Sequence, residues 1–133
     1  MVKKSKVVLL PCAEYDEEKI YVLLKKGLSL LGGIESLVPM DKKILLKPNL
    51  LKKAEVEKAV ITHPVVVGAF ARILREKGYK NIVLADSCGH GTTKSVIRGT
   101  GMDTYLEKYQ IPAIDYTEGI KVDYPQGIQA KEF

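Results

Sequence analysis

Three short runs, Val7–Leu10, Ile44–Leu46 and Asn81–Ala85, apolar apart from the Asn81 that opens the third, constrain this chain most, because each ends at once in polar, proline or glycine residues. Runs this short and this uniformly apolar read as strands buried on both faces, as in a parallel sheet. Parallel neighbours need a crossover between them, and helical patterns fill both gaps. After Val7–Leu10, Asp16 is placed to cap a helix, with Glu17 and Glu18 in the first turn where the helix dipole favours negative charge. Ile20, Leu23, Leu24, Leu28 and Leu31 then recur at spacings of three and four until Gly32-Gly33. The second helix opens at Thr62-His63-Pro64, with proline in its first turn, carries Val66, Ala69, Phe70, Ile73 and Leu74 as its stripe, and stops at Gly78.

Further along, a short helix is expected near Thr93 and another over Asp103–Tyr109, followed by a fourth strand over Ile111–Tyr116. Gly119–Pro125 reads as one more short extended piece, within a less regular tail over 117–133. The expected fold is α/β: a three-layer, Rossmann-like arrangement around a mostly parallel sheet of four to five strands, with residues 1–133 as a single domain.

At 133 residues, 46% of them hydrophobic and 28% charged, the chain is long enough for a real core, and disordered, collagen-like and disulfide-scaffold classes are excluded. No apolar run approaches the roughly 20 residues of a membrane helix. The basic start breaks at Pro11 and meets acidic residues instead of a cleavage site, so it reads as a strand and not a leader. With only Cys12 and Cys88, a reducing cytoplasm is expected. The net charge of +5 arises mainly from lysines scattered over the first 60 residues, without the aromatic interleaving of a nucleic-acid face, so no nucleic acid and no membrane are expected as partners.

Right-handed crossovers would bring Pro11-Cys12, Lys47-Pro48-Asn49 and Asp86-Ser87-Cys88-Gly89-His90 to one carboxyl edge of the sheet, where α/β folds place ligands. Thr62 and His63 precede the second helix and can turn toward that edge. Lys47 offers a point charge for an anion, while Gly89, Gly91 and the backbone N–H groups of Thr92, Thr93 and Lys94 offer a nest for phosphate or carboxylate. The expected ligand-binding set is therefore Lys47, Asn49, Thr62, His63, Asp86, Ser87, Gly89, Gly91 and Thr92, with Asp86 and His63 as candidate acid–base groups. The spacing matches neither a P-loop nor a dinucleotide-binding glycine motif. His63, Asp86, Cys88 and His90, with Cys12 in reach, form a weaker candidate metal set, and Cys88 beside His90 and Lys94 a candidate nucleophile. The bland alternatives are a helix cap for His63, turn hydrogen bonds for Asp86 and Asn49, and a core position for Cys12.

Three of these segments in order, Lys47-Pro48-Asn49-Leu50, Thr62-His63-Pro64 and Ala85-Asp86-Ser87-Cys88-Gly89, resemble the family called domain of unknown function 362. Its members typically show a strand ending in Lys-Pro-Asn, Thr-His-Pro opening a helix, and a strand ending in Gly-Asp-Ser-Pro-Gly. Ala85 and Cys88 depart from that last motif. Members generally run much longer and often carry a ferredoxin-like segment with [4Fe–4S] clusters, which needs a cysteine run absent here. The resemblance implies the N-terminal part of such an architecture, with no cofactor in this chain and the clusters in a missing C-terminal segment. Three functions follow as expectations. The first is the ligand-binding part of an iron–sulfur redox protein, with an iron–sulfur domain or redox partner. The second is an enzyme on a small anionic substrate using Lys47, His63 and Asp86, with a weak echo of the nickel-dependent lactate racemases. The third is a non-catalytic interaction module, or a truncated product that mainly self-associates as a homo-oligomer through an uncovered sheet edge.

Overall fold

The computed structural model describes residues 5–116 and 121–128. Helix α1 spans Glu17–Leu30, with the Asp16 side chain accepting from the Lys19 N–H, and a single turn α2 follows at Ile34–Leu37. Strand β1 is Ile44–Leu46, helix α3 is Pro64–Glu76 and strand β2 is Ile82–Leu84. Helices α4, Thr93–Ile97, and α5, Met102–Lys108, complete the order.

The two strands pair in parallel, Ile44 with Ile82 and Leu46 with Leu84. Their inward residues meet Val67, Ala71 and Leu74 of α3, Val96 and Ile97 of α4, and Met102 and Leu106 of α5 in one core. The opposite side of α3, through Ala69 and Ile73, packs on Ile20 and Tyr21 of α1. Helix α3 is thus sandwiched between sheet and helix, which is why it is apolar nearly all round and buries Val67 and Ala71 beyond its expected stripe. Gly68 lets α5 approach: a Cβ there would lie 2.2 Å from Cδ1 of Tyr105. The Arg75 guanidinium donates to Tyr79 O and Lys80 O, both at 3.0 Å, to Tyr109 O at 2.7 Å and to Gln110 O, tying the ends of α3 and α5 together.

This is a mixed helix–strand fold with a parallel sheet, but the sheet has two strands among the described residues, not four or five. Val7–Leu10 forms no ladder. It lies over α1, with Val8 and Leu10 within 4 Å of where a Gly27 Cβ would stand, while Val7 and Leu9 are 85% and 92% exposed. Its apolar alternation is satisfied by a helix surface in place of a neighbouring strand. The expected fourth strand, Ile111–Tyr116, shrinks to a single parallel bridge between Leu84 and Ala113. Leu84 donates to Pro112 O and accepts from Ile114, and Pro112 has no N–H with which to extend the ladder. The piece expected over 119–125 falls partly outside the described residues, and 121–128 contains a turn closed by Gly127 N–H to Tyr124 O at 2.9 Å. The expected third layer is open at β1, since Leu45 on the face away from α3 is 45% exposed.

Candidate functional site

The carboxyl ends of β1 and β2 lie side by side, so the residues that follow them, Lys47 and Asp86, emerge together. Lys47 Nζ and Asp86 Oδ1 form an ion pair in which the lysine side chain is 59% exposed and the aspartate 5%. The second carboxylate oxygen accepts from the buried Leu50 N–H at 2.8 Å. Behind it, the Thr93 hydroxyl donates to Asp86 O at 3.0 Å, and its oxygen also lies 3.1 Å from the Asp86 N–H. Lys47, foremost, and the Leu50 N–H hold the Asp86 carboxyl below its ordinary range, and Asp86 in turn raises Lys47. Both groups are therefore charged at neutral pH, and Asp86 carries no proton to donate.

The loop after β2 is pressed onto the loop after β1. His90 N–H donates to Leu51 O at 3.0 Å, and a Cβ on Gly89 would stand 2.8 Å from Cδ1 of Leu51. Gly91 takes φ +89°, a left-handed conformation suited to glycine, before Thr92 caps α4 in a reciprocal capping box with Ser95. Of the N–H groups expected to cradle an anion, Thr92 donates to Ser95 Oγ at 2.8 Å and Lys94 to Asp115 Oδ1 at 3.0 Å. The carboxylate at this short helix start is the chain's own.

Asn49 and Thr62 meet each other. Asn49 N–H donates to Thr62 Oγ1 at 2.8 Å, Thr62 N–H to Asn49 O at 2.9 Å, and Asn49 Nδ2 to Val60 O at 3.1 Å. With an antiparallel bridge between Leu50 and Ile61, they close the neck of the long excursion, whose tip holds a single 3-10 turn at Val56–Lys58. His63 caps α3, its Nδ1 accepting from Val65 N–H at 3.3 Å, and stacks parallel on Tyr15 with ring centroids 3.7 Å apart. Burial pushes its pKa down. No hydrogen bond or ion pair among the described residues joins His63 to Asp86. Tyr15, which sequence reasoning passed over, is thus the partner of His63; its only signal was an aromatic just before a helix cap.

Cys88 is half-buried, and burial together with the Asp86 charge raises its pKa, which keeps the thiol protonated instead of producing the activated thiolate expected from Lys94. Cys12 is exposed and not a core residue. Among the described residues no three His, Cys, Asp or Glu side chains come together as a metal requires, so His63, Asp86, Cys88 and His90 do not converge. A ferredoxin-type cluster takes four thiolates, and the two cysteines of this chain do not fit one. No helix among the described residues is long and apolar enough to cross a membrane.

The family pattern described as Domain of unknown function (DUF362) matches residues 44–133, from the first residue of β1 onward. The chain belongs to this family. A relative, the thylakoid-associated protein sll1697 of Synechocystis sp., is 33% identical over 119 residues, which cover 90% of this chain and 36% of the relative. The chain thus spans about a third of that relative's length. No solved structure matches it.

Proposed function

We propose that this chain is the ligand-binding α/β portion of an iron–sulfur-associated redox protein of its family, and that the carboxyl edge of β1 and β2 takes a small ligand by an anionic group. The clusters belong, in this reading, to a different segment or partner. The observation that carries the site is the asymmetry of the Lys47–Asp86 pair. A buried carboxylate, fixed from behind by Leu50 N–H, holds an exposed ammonium at the sheet edge, and only one of that ammonium's three hydrogens is used among the described residues. Lys47 meets the anionic group; Asp86 orients Lys47 and, staying ionised, disfavours ligands crowded with negative charge. Singly charged carboxylates therefore suit the edge better than phosphate dianions. The setting is cytoplasmic in this reading, and the thylakoid association in the relative's name extends it to a peripheral position at a membrane.

The test is amide chemical-shift perturbation with acetate and, separately, inorganic phosphate as probes. Shifts confined to Lys47 and the 86–92 loop, stronger for acetate and lost in Lys47→Ala, support the proposal. No shift with either probe, or full retention in Lys47→Ala, refutes it.

A further inference from the structure

The segment ahead of α1 runs back along that helix, from Lys6 Nζ on Leu30 O at 3.1 Å, past Val8 and Leu10 at Gly27, to the Glu14 carboxylate on Lys19. With Leu24, Leu28 and Val66 it lines an apolar groove of about 520 Å³, and Cys12, Ala13, Glu14 and Tyr15 line the far end. Those four residues are exposed, and their hydrogen bonds and ion pairs among the described residues stay local: Cys12 Sγ with Glu14 O at 3.2 Å, and Glu14 with Lys19. What ties them to α3 is the Tyr15 ring, parallel to the His63 ring within 3° and 3.7 Å from it.

We propose that Tyr15 and His63 form a latch that closes this end of the groove at neutral pH and releases it when a proton binds His63. The chemistry lies in the cap. His63 Nδ1 accepts from Val65 N–H at 3.3 Å, so the neutral ring carries its proton on Nε2, and Nδ1 holds the lone pair on which a solvent proton can land. Once bound there, that proton faces the Val65 N–H donor to donor. The imidazolium also stands at the start of the 13-residue α3, where the helix dipole disfavours a cation. The ring therefore turns out of the cap, and the parallel stack is lost with its present plane. Tyr15 is 64% exposed, and an exposed phenol attracts an imidazolium only weakly; that attraction does not restore the cap. The surroundings offer His63 no ion pair among the described residues. Glu57, on the excursion, favours its proton, but burial outweighs Glu57 and holds the pKa down. On the side of α1, Glu14 is engaged by Lys19, Asp16 caps the helix and Glu18 pairs with Arg72. A closed state that resists the proton is opened by it, by at most the ratio of the His63 acid constants in the two states.

The test is NMR of the full chain from about pH 8 to about pH 5, the span in which histidine changes charge. It follows the His63 and Tyr15 rings and the amides of Val65 and residues 12–15, in the wild type and in Tyr15→Phe, Tyr15→Ala and His63→Asn. At the basic end the stack should shift the Tyr15 ring protons upfield. The expected result is loss of that shift, together with movement of the Val65 and 12–15 amides, in one transition that shares the His63 midpoint and lies below 6.5. Tyr15→Phe should retain the transition. His63→Asn, which keeps a cap acceptor without a titrating ring, should show none at 12–15. Because linkage is reciprocal, Tyr15→Ala should raise the His63 midpoint while the Val65 amide still responds. A Tyr15 shift that survives titration of His63, a transition at 12–15 that persists in His63→Asn, or a His63 midpoint unmoved by Tyr15→Ala would each overturn the latch.

Discussion

Replacing Asp86 separates what holds the edge together from what the edge binds. The carboxylate is nearly buried and is the acceptor for the N–H of Leu50, itself fully buried. Asp86→Ala strands that donor, at a cost of about 1–3 kcal/mol, and also removes a charge-assisted bond, so a loss of about 2–3 kcal/mol is expected. For a domain of this length that lowers Tm by roughly 6–12 °C. Asp86→Asn keeps an acceptor for Leu50 and should lose only about 1 kcal/mol. Lys47→Ala removes a side chain that is 59% exposed but leaves the nearly buried Asp86 carboxylate without its counter-ion, so it should lower the denaturation midpoint by less than Asp86→Ala does while abolishing ligand response. Urea denaturation of the three variants provides the comparison. If Asp86→Ala stays within about 0.5 kcal/mol of wild type, or Asp86→Asn falls as far as Asp86→Ala, the Leu50 bond is not what Asp86 supplies and the reasoning fails. Acid adds a further check. Because the folded carboxyl is held below the ordinary aspartate value of 3.8, the unfolded chain protonates first, so this contribution is complete above that value and is lost as pH falls through the folded one.

Other expectations are independent of that carboxylate. His63 is held below 6.5 by burial, so the unfolded state takes its proton first; stability should be full above about pH 6.5 and decline as pH falls toward the folded value, and His63→Asn should flatten that slope in pH-dependent urea midpoints. Gly68→Ala should destabilise by about 1–3 kcal/mol despite alanine's better helix propensity, because the new methyl meets the base of the Tyr105 ring; a gain in Tm would show that α5 yields freely. Arg75→Lys should cost about 1–2 kcal/mol in chemical denaturation, since a single ammonium cannot reach four carbonyls on two turns, and an unchanged midpoint would mean the fork is idle.

The local signals in the sequence were strong where chemistry and geometry coincide. Asp16 and Pro64 mark their helix starts because a cap acceptor and a ring-fixed φ act within a few residues of themselves. Lys47 and Asp86 were legible as neighbours because parallel strands with helical crossovers leave their next residues at one edge. What escaped was anything decided by a remote surface. Val7–Leu10 has strand composition, and only the presence of an apolar α1 face explains why it lies on a helix. Asn49 and Thr62 both looked like ligand groups, yet each is the hydrogen-bond partner of the other across 13 residues of chain. Lys94 N–H looked free until Asp115, 21 residues on, was found beside it.

The neck formed by Asn49, Leu50, Ile61 and Thr62 separates the chain's excursion into a fixed base and a mostly exposed tip that touches the body lightly, Lys53 Nζ standing 3.9 Å from where a Gly99 Cβ would be. Once such a base is closed, the entropy of the loop beyond it grows only logarithmically with length, so each doubling adds about 0.6 kcal/mol. Residues 52–59 can therefore lengthen, shorten or receive an inserted peptide while Lys47 on one side and His63 on the other keep their places. Length variation among relatives should collect in that tip, and a fluorophore or affinity sequence grafted there would leave the sheet edge as it is.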